Sequence, residues 1–212
     1  MRSYSQYCSV ARALDVVGDR WTLLIVRELL LRGALRYTDL RQGLPGIASN
    51  LLAERLRALD EKGVITSRQA PPPVAATLYE LTPRGRELEP TVLELGRWGG
   101  PLMVAGPTAE DAFRSHWLAV PIDIYLADRA VDGDPIQIEI DAGDEPVTIH
   151  AEHGAVTTTV GAADHADAVI TGSAHVVLGV LSGHVSLAKA QELGLRYEGD
   201  PAHLARLVPT PG

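Results

Sequence analysis

Glycine and proline interrupt the helical pattern of this chain near its middle, and this break constrains the fold more than any other feature. Gly99-Gly100-Pro101 and Gly106-Pro107 bracket a short stretch in which helical periodicity fails. Because glycine and proline favour turns and loops, we place a domain boundary near residue 106. A chain of 212 residues has room for two small domains, and we predict them at residues 1–105 and 106–212.

The charges of the two halves support this division. Residues 1–105 hold 14 Lys and Arg against 11 Asp and Glu, a net charge of +3, and 13 of those cations are arginine. Residues 106–212 hold 5 Lys and Arg against 16 Asp and Glu, a net charge of −11. Since an arginine-rich surface suits nucleic acid and an acidic surface repels it, we expect the two halves to have different partners.

The composition excludes several classes of protein. Apolar residues make up 46% of the chain and charged residues 22%, which is typical of a globular protein with a core. No apolar run is long enough to span a bilayer, and the N-terminus lacks the apolar segment of a secretory signal. The single cysteine, Cys8, cannot form an internal disulfide. We therefore expect a cytoplasmic protein without a membrane segment.

Apolar residues recur at helical spacing through most of the first half and then alternate. The predicted helices are Ser9–Val17, a helix from an Asp19 N-cap to Leu31 with Gly33 as its stop, residues 37–42, residues 48–62, and residues 83–98. In the second of these, the predicted buried stripe is Trp21, Leu24, Ile25 and Leu29. The alternating runs 64–68 and 77–81 predict a hairpin with a proline-rich tip. Three helices followed by a hairpin is the plan of a winged helix-turn-helix.

The helix predicted at residues 48–62 is the candidate recognition helix, because a helix fits the major groove and reads base edges with exposed side chains. If Leu52 points inward, Leu56 and Leu59 lie within about 40° of it. Asn50, Ala53, Glu54 and Arg57 fall on the opposite side. The candidate contacts from the helix and hairpin are Asn50, Ala53 and Arg57 on that side, Ser49 at the helix start, Arg55 beside the buried stripe, and Arg68 near the hairpin tip. Arg55 is placed for a phosphate or a local carboxylate. A solvated helix face and a plain surface hairpin are the alternatives.

A series of motifs runs through this half in a fixed order. They are Cys8, residues 13–21 (ALDVVGDRW), 35–41 (LRYTDLR), 45–47 (PGI), 52–59 with Gly63, and 79–85 (YELTPRG). Together they resemble the HxlR-type transcriptional regulators over roughly residues 5–104. The resemblance implies a winged-helix homodimer that binds pseudo-palindromic operators in double-stranded DNA. It also implies a dimer interface formed by the N-terminal segment and the helix around residues 88–98.

Two further expectations come from this resemblance. Arg36 and Thr38, in the motif at residues 35–41, join the candidate DNA contacts. The family often has serine where this chain has Ala48, which moves helix capping to Ser49 or to the backbone.

Cys8 has two interpretations. Some members of the family sense oxidants or electrophiles through a cysteine at this place, by an intersubunit disulfide or an adduct. Alternatively, Cys8 is a small buried residue of the dimer interface. Only Arg2 and Arg12 are near it in sequence to lower its pKa.

Residues 106–212 predict an α+β domain. The pattern gives a helix over residues 109–130, strands at 136–140, 147–151, 156–160, Ala168–Thr171 and 195–198, and helices at Ala174–Leu181, 186–193 and Pro201–Leu207. Three consecutive strands at hairpin spacing predict an antiparallel sheet, which argues against a Rossmann fold.

The end of the chain carries a repeated unit of strand, turn and helix. Residues 167–172 (DAVITG), 178–183 and 195–200 (LRYEGD) resemble the sterol-carrier-protein type two family over about residues 110–208. The resemblance implies a sheet and helices enclosing a hydrophobic tunnel for a lipid or other apolar molecule. The candidate ligand-binding residues are Trp117, Ile124, Ile138, Ile149, Val169, Val177 and Leu181. A core filled by side chains is the alternative.

The sequence offers no catalytic motif. His150 and His153 stand on opposite faces of a strand unless a turn intervenes, which is unsuitable for a zinc site. We therefore expect no enzyme, no metal and no cofactor. We expect a DNA-binding transcriptional regulator whose second domain binds a small apolar effector. The alternatives are a lipid- or polyketide-handling protein that uses the winged helix mainly for dimerisation, and a redox-sensing regulator built on Cys8.

Overall fold

The computed structural model describes residues 3–73, 75–103, 106–127, 129 and 131–208. They form two compact units, Met1–Val92 and Leu93–Gly212, which are described separately below. The boundary predicted from the glycines and prolines, between residues 105 and 106, adjoins residues 104 and 105, which lie outside the described ranges. That boundary stays a prediction.

Unit 1 contains the predicted helices and the predicted hairpin. Its elements are α1 (Ser9–Val17), α2 (Thr22–Arg32), β1 (Leu35–Arg36), α3 (Tyr37–Gly43), α4 (Ser49–Glu61), β2 (Ile65–Gln69), β3 (Thr77–Leu81), α5 (Pro83–Arg86) and the start of α6 (Glu89–Gly99). The hairpin β2–β3 is confirmed, and β1 pairs with the other edge of β3. The strand β1 was not predicted, because two residues are too few to show a period. The single helix predicted at residues 83–98 is two helices, α5 and α6.

The start of α2 differs from the prediction. The helix begins at Thr22, after Trp21 in a left-handed conformation with φ 79°, and not after an Asp19 cap. The side chain of Asp19 faces Arg55 of α4 at 3.2 Å, and only its carbonyl accepts the Thr22 N–H. The expected stop at Gly33, with φ 72°, is confirmed. The Asp19 carboxylate therefore pairs with Arg55 and does not cap α2.

The core of unit 1 lies between the helices and the small sheet. Its fully buried large side chains are Ile25, Leu29, Leu40, Leu44, Leu52, Leu59 and Ile65. One member of the predicted α2 stripe is wrong, since Leu24 is 40% exposed while Val26 is fully buried. The stripe is therefore rotated by part of a turn from the predicted direction.

Unit 2 is α+β, as predicted. Its elements are the rest of α6, a 3₁₀ turn (Gly100–Met103), a second 3₁₀ turn (Ser115–Leu118), α7 (Ala119–Leu126), β4 (Ile136–Asp141), β5 (Val147–Glu152), β6 (Ala155–Val160), β7 (Ala168–Thr171), α8 (Ala174–Leu181), α9 (Leu187–Glu192), β8 (Arg196–Gly199) and α10 (Pro201–Leu207).

The long helix predicted over residues 109–130 is wrong in its first half. Residues 109–114 form no helix, and α7 is only eight residues long. The side chain of Asp111 accepts the backbone N–H of Thr108, and Asp144 accepts that of Ser115. Side-chain hydrogen bonds of this kind compete with helix formation. Residues 128 and 130, within the predicted helix, lie outside the described ranges.

Five strands of unit 2 form one sheet in the order β6-β5-β4-β7-β8. The predicted antiparallel pairing of β4, β5 and β6 is confirmed. The strand β7 joins β4 in parallel, which the sequence did not predict. The register places Ile138 beside Ile149 and Ala168 on one buried face. The opposite face carries polar residues such as Glu139, which accepts the Ala163 N–H at 2.9 Å.

Candidate nucleic-acid interface and effector region

The two sides of α4 differ as a recognition helix requires. Leu52, Leu56 and Leu59 are buried in the core of unit 1. Asn50, Glu54 and Arg57 are exposed, and Ala53 is half-buried. A polar face is therefore open to solvent along the length of α4.

The start of α4 is fixed without a side-chain cap. Ala48 is the N-cap residue and supplies no side-chain hydrogen bond, and the exposed Ser49 is the first helical residue. Tyr37 of α3 donates its hydroxyl hydrogen to the carbonyl of Ser49 at 2.7 Å. This hydrogen bond connects α3 to the start of α4. Sequence reasoning did not single it out, although it lies within the motif at residues 35–41.

Arg55 is held within the protein. Its guanidinium lies 3.2 Å from the carboxylate of Asp19 and 3.1 Å from that of Glu54, and its side chain is 16% exposed. Of the two roles open to it from the sequence, the structure shows the local carboxylate. Arg55 therefore anchors α4 to the loop before α2.

The other candidate contacts, on α3 and β2, are more exposed to solvent. Arg36 is exposed just before α3, and its backbone N–H donates to Asp39 at 3.0 Å. Thr38 is exposed in the first turn of α3. Arg68 lies on β2 and is half-exposed, with its Nε 3.3 Å from Glu80 on the neighbouring strand. Each of these side chains keeps access to solvent.

Arg27 and Glu28 form an ion pair on α2, within unit 1. Glu28 of α2 is fully buried, and its Oε1 accepts two hydrogen bonds from Arg27, at 2.7 and 3.1 Å. Burial lowers the pKa of Arg27, and the adjacent Glu28 carboxylate opposes that shift. A methyl group on Gly43 of α3 would stand against the Glu28 carboxylate, so a larger residue at position 43 would force the Glu28 side chain to move. Sequence reasoning missed Glu28, because a charged residue on a helix is ordinarily solvated.

Cys8 immediately precedes α1 and is exposed. The backbone N–H groups of Ala11 and Val10 hold the pKa of its thiol below the ordinary value. Sequence reasoning considered only nearby arginines, whereas the activating groups belong to the first turn of the helix.

The candidate effector residues of unit 2 do not all come together. Ile138, Ile149, Val177 and Leu181 are fully buried, and Trp117 and Ile124 are half-buried. Val169 does not join them. It pairs in register with Glu139 and Glu198. Because directly paired residues project to the same side of a sheet, Val169 lies on the face opposite Ile138 and Ile149. Strand alternation in β7 places Ala168 and Ile170, not Val169, on the buried face.

Two polar contacts attach the helical layer of unit 2 to its sheet. The hydroxyl of Ser115 donates to Asp144 at 2.6 Å and accepts the Asp144 N–H at 2.8 Å. Burial raises the pKa of Asp144, but the hydrogen bonds from Ser115 outweigh it and hold the pKa below its ordinary value. Under the sheet, Thr158 donates to Asp123 of α7 at 2.8 Å.

Within the described ranges, no cluster of three or more histidine, cysteine or acidic side chains is arranged to hold a metal ion. No helix in that part of the chain is long and apolar enough to cross a membrane.

Comparison with known proteins assigns the first half of the chain. Residues 16–105 match the family model described as HxlR-like helix-turn-helix. An uncharacterized HTH-type transcriptional regulator of Bacillus subtilis, YvaP, is 33% identical over 87 residues, which are 41% of this chain and 80% of that protein. A second B. subtilis HTH-type regulator, YdeP, is 36% identical over 95 residues, covering 43% of this chain and 71% of its own length.

Part of the chain is also similar to solved structures. The reduced form of the transcriptional regulator YodB from B. subtilis is 26% identical and covers 48% of this chain and 100% of that one, with a TM-score of 0.41. The redox regulator HypR in its oxidized form is 32% identical and covers 44% of this chain and 96% of that one, with a TM-score of 0.40. The family match ends at residue 105, so the sterol-carrier resemblance of residues 110–208 stays a prediction. The relatives are named as transcriptional regulators, most of YvaP is covered, and the chain belongs to the HxlR-like helix-turn-helix family.

Proposed function

We propose that α4 reads operator DNA in the major groove, with Asn50 and Arg57 on base edges. The protein is a transcriptional regulator with a helix-turn-helix DNA-binding domain. The observation that carries the proposal is the open polar face of α4 above a fully buried leucine face. Ala53 lies between these faces and sets how closely the helix approaches the bases. Ser49 stands at the uncapped start of α4, where free backbone N–H groups favour an anion such as phosphate.

Phosphate contacts come from both sides of α4 in this proposal. Arg36 and Thr38 lie at the start of α3, and Arg68 lies on β2 of the hairpin. The pair between Arg68 and Glu80 is half-exposed, and such a pair is worth only about 0–1 kcal/mol. A phosphate can therefore displace the glutamate. Arg55, which is already held by Asp19, acts by positioning α4.

Operator selection from a random duplex library with the full chain tests this proposal. Asn50→Ala and Arg57→Ala should each relax base preference at one position, by about 1–3 kcal/mol. Arg68→Ala should weaken binding to all sequences alike and reduce the salt slope by about one. Arg196→Ala, an exposed arginine of unit 2, is the matched control and should change neither. The absence of duplex binding at low salt would refute the proposal.

The functional form in this proposal is a homodimer in the cytoplasm, bound to a pseudo-palindromic operator. Each unit exposes an apolar stripe at helical spacing, Val10 and Leu14 on α1 and Leu95 and Trp98 on α6. Exposed apolar stripes of this kind mark interaction surfaces. Val10→Asp with Leu14→Asp should break the contact through α1 and abolish operator binding. A wild-type protein that sediments as a monomer contradicts this assembly.

Unit 2 is the effector domain in this proposal, and its ligand is a small apolar molecule between sheet and helices. The support is the concentration of fully buried apolar side chains there, among them Ile138, Ile149, Val177 and Leu181. With Val169 on the other face, the corrected set adds Ile170, which is also fully buried. The effector would shift the operator affinity by a coupling free energy of about 1–3 kcal/mol.

A neutral apolar dye, N-phenyl-1-naphthylamine, tests the effector domain. Binding to the folded protein alone should raise the melting temperature of the full chain. Val177→Asp should abolish that rise, while operator affinity in the absence of dye stays near wild type. Thr157→Asp, at an exposed position of the same unit, should retain the rise. An unchanged melting temperature of the wild type at saturating dye contradicts the proposal, and dye binding without any duplex binding would favour the lipid-handling alternative.

A second candidate function is redox sensing through Cys8. The specific observation in its favour is the exposed thiol whose pKa is lowered by the first turn of α1. Peroxide should then produce a disulfide-linked dimer on a non-reducing gel and change operator affinity, and Cys8→Ser should lose both responses. If wild type and Cys8→Ser respond alike, Cys8 is not a sensor.

A further inference from the structure

The strand β6 forms one edge of the unit 2 sheet, with β5 on its inner side and no strand of the described residues on its outer side. The Gly161 N–H donates to the Pro146 carbonyl of the β5 side at 2.9 Å, and the register continues from that pair without a bulge. Because hydrogen-bonded and non-bonded pairs alternate in an antiparallel ladder, Thr157 and Thr159 bond to β5. The backbone groups of Val156, Thr158 and Val160 therefore point away from the sheet.

The sequence of this edge strand lacks the features that ordinarily protect one, although α7 packs against its inner face, where Thr158 donates to Asp123. Proteins blunt free edges with charged residues, proline, bulges or very short strands. The sequence of β6 is AVTTTV, six residues without a charge, proline or glycine. The opposite edge strand, β8, is protected, since it has only four residues and carries Arg196, Glu198 and Gly199. The contrast singles out β6 as a strand open to pairing.

We propose that β6 pairs antiparallel with β6 of a second copy of this chain, about a twofold axis at Thr158. In that register the two Thr158 residues face each other, and Val156 of each copy faces Val160 of the other. The three outward residues of each strand then donate and accept all their backbone hydrogen bonds, three donated by each copy. Neighbouring registers leave at least one of these groups without a strand partner.

The side chains of β6 favour a second copy over another peptide. In the proposed register Thr157 of one copy lies directly opposite Thr159 of the other on the exposed face, and threonine pairs stabilise adjacent strands. On the other face valine meets valine. Residues 156–160 read VTTTV, the same in both directions about Thr158, so an antiparallel second copy places like residues opposite one another along the whole strand. The uncharged β6 brings no like charges together, which makes this strand a suitable contact between two acidic domains.

Cysteine crosslinking in the full chain tests the register. Thr157→Cys and Thr159→Cys are made separately in a Cys8→Ser background and co-expressed with tags of different mass. Opposed non-bonded residues of an antiparallel pair have Cα atoms about 4.5 Å apart, within the range for a disulfide. Two copies of the same variant place their cysteines on a diagonal about 7–8 Å apart, which is too far for a disulfide.

We expect mild oxidation to link the two differently tagged chains, and to link chains of the same variant about tenfold less or not at all. Arg196→Cys co-expressed with Glu198→Cys is the matched control on β8 and should not crosslink. Equal crosslinking of mixed and unmixed variants, or of the β8 control, overturns the proposal, as does the absence of a disulfide in the mixed sample. These outcomes leave operator binding untouched.

A charge-swap pair checks the same register without cysteine. In a Val10→Asp, Leu14→Asp background, which lacks the contact through α1, Thr157→Lys with Thr159→Lys places like charges opposite each other across the axis and should abolish the association that remains. Thr157→Lys with Thr159→Glu carries a comparable change but places each lysine opposite a glutamate, so it should restore the association in sedimentation. If both double variants associate equally, β6 is not the contact.

Discussion

Gly85 of α5 lies against the backbone of Val64, just before the hairpin β2–β3, and Gly85→Ala tests how closely these two segments are packed. A Cβ atom on Gly85 would overlap the carbonyl oxygen of Val64 and stand 3.0 Å from Leu81 Cδ2. The Val64 oxygen belongs to the backbone at the start of the hairpin and already accepts the Thr82 N–H at 3.0 Å. Because that oxygen cannot swing away as a side chain would, α5 must move instead.

The magnitude follows from three contributions. Forcing a methyl group into a packed site costs about 1–3 kcal/mol. Moving α5 weakens the hydrogen bond from the Gly85 N–H to the Thr82 hydroxyl, 3.0 Å long, and each lost hydrogen bond costs about 1 kcal/mol. Alanine regains up to about 1 kcal/mol over glycine in a helix. The free energy of unfolding of unit 1 should therefore fall by about 1–4 kcal/mol.

Urea unfolding followed by circular dichroism measures this loss, with separate transitions allowed for the two units. With a slope of about 2 kcal/mol per molar urea, the midpoint of the unit 1 transition should fall by about 0.5–2 M. Gly99→Ala is the matched control, because no atom lies within 4 Å of its added methyl group, and it should be neutral or slightly stabilising. If Gly85→Ala unfolds at the wild-type midpoint, the close approach described here is wrong.

Three further predictions concern charged and reactive groups. Glu28→Ala leaves the largely buried Arg27 without its carboxylate, so the unfolding free energy should fall by about 3 kcal/mol or more in urea titration, and a loss below that of an exposed glutamate would contradict the buried pair. Because the folded protein lowers the pKa of Asp144, the ionised carboxylate stabilises the protein above the unfolded pKa, and this stabilisation is lost as pH falls through the folded pKa. The melting-temperature advantage of wild type over Asp144→Asn should therefore shrink between pH 7 and pH 3, about the range spanning an ordinary carboxyl, and a constant difference would refute the reasoning. Ser115→Ala should already reduce the melting temperature at pH 7. The thiol of Cys8, whose pKa is lowered by backbone N–H groups, should react with iodoacetamide faster near neutral pH than an unfolded-state control of the same chain, as followed by mass spectrometry; equal rates would show that the helix does not activate it.

Short-range pattern was sufficient for most elements of this protein. The bounds of α1, β3, β7, α8 and α10 agree residue for residue with those predicted. In each case the signal lies within a few positions, as a helical or alternating period closed by a capping residue, a glycine or a proline. The helix-turn-helix assignment rests on the same local signals, since each motif is a short run.

The tertiary structure decided the partners that lie far apart in sequence. Arg55 meets Asp19, and the consequence is both a helix without its predicted cap and one fewer arginine free for phosphate. Val169 lies on the outer face because β7 joins β4 in parallel, with its register set by that long-range pairing. The period of a strand gives two faces but not which one is buried, since that choice depends on the layer that packs against it.

Glu28 and the edge of β6 show the same division. The sequence places a glutamate on α2 and five uncharged residues in a strand, and neither fact reveals its environment. The packing of α2 in unit 1 buries Glu28 with Gly43 close to its carboxylate, and the strand order leaves β6 at the edge of its sheet. Periodicity and capping are properties of adjacent residues, whereas burial, ion pairing and strand order arise when distant segments compete for the same core, and that competition is settled only in the folded chain.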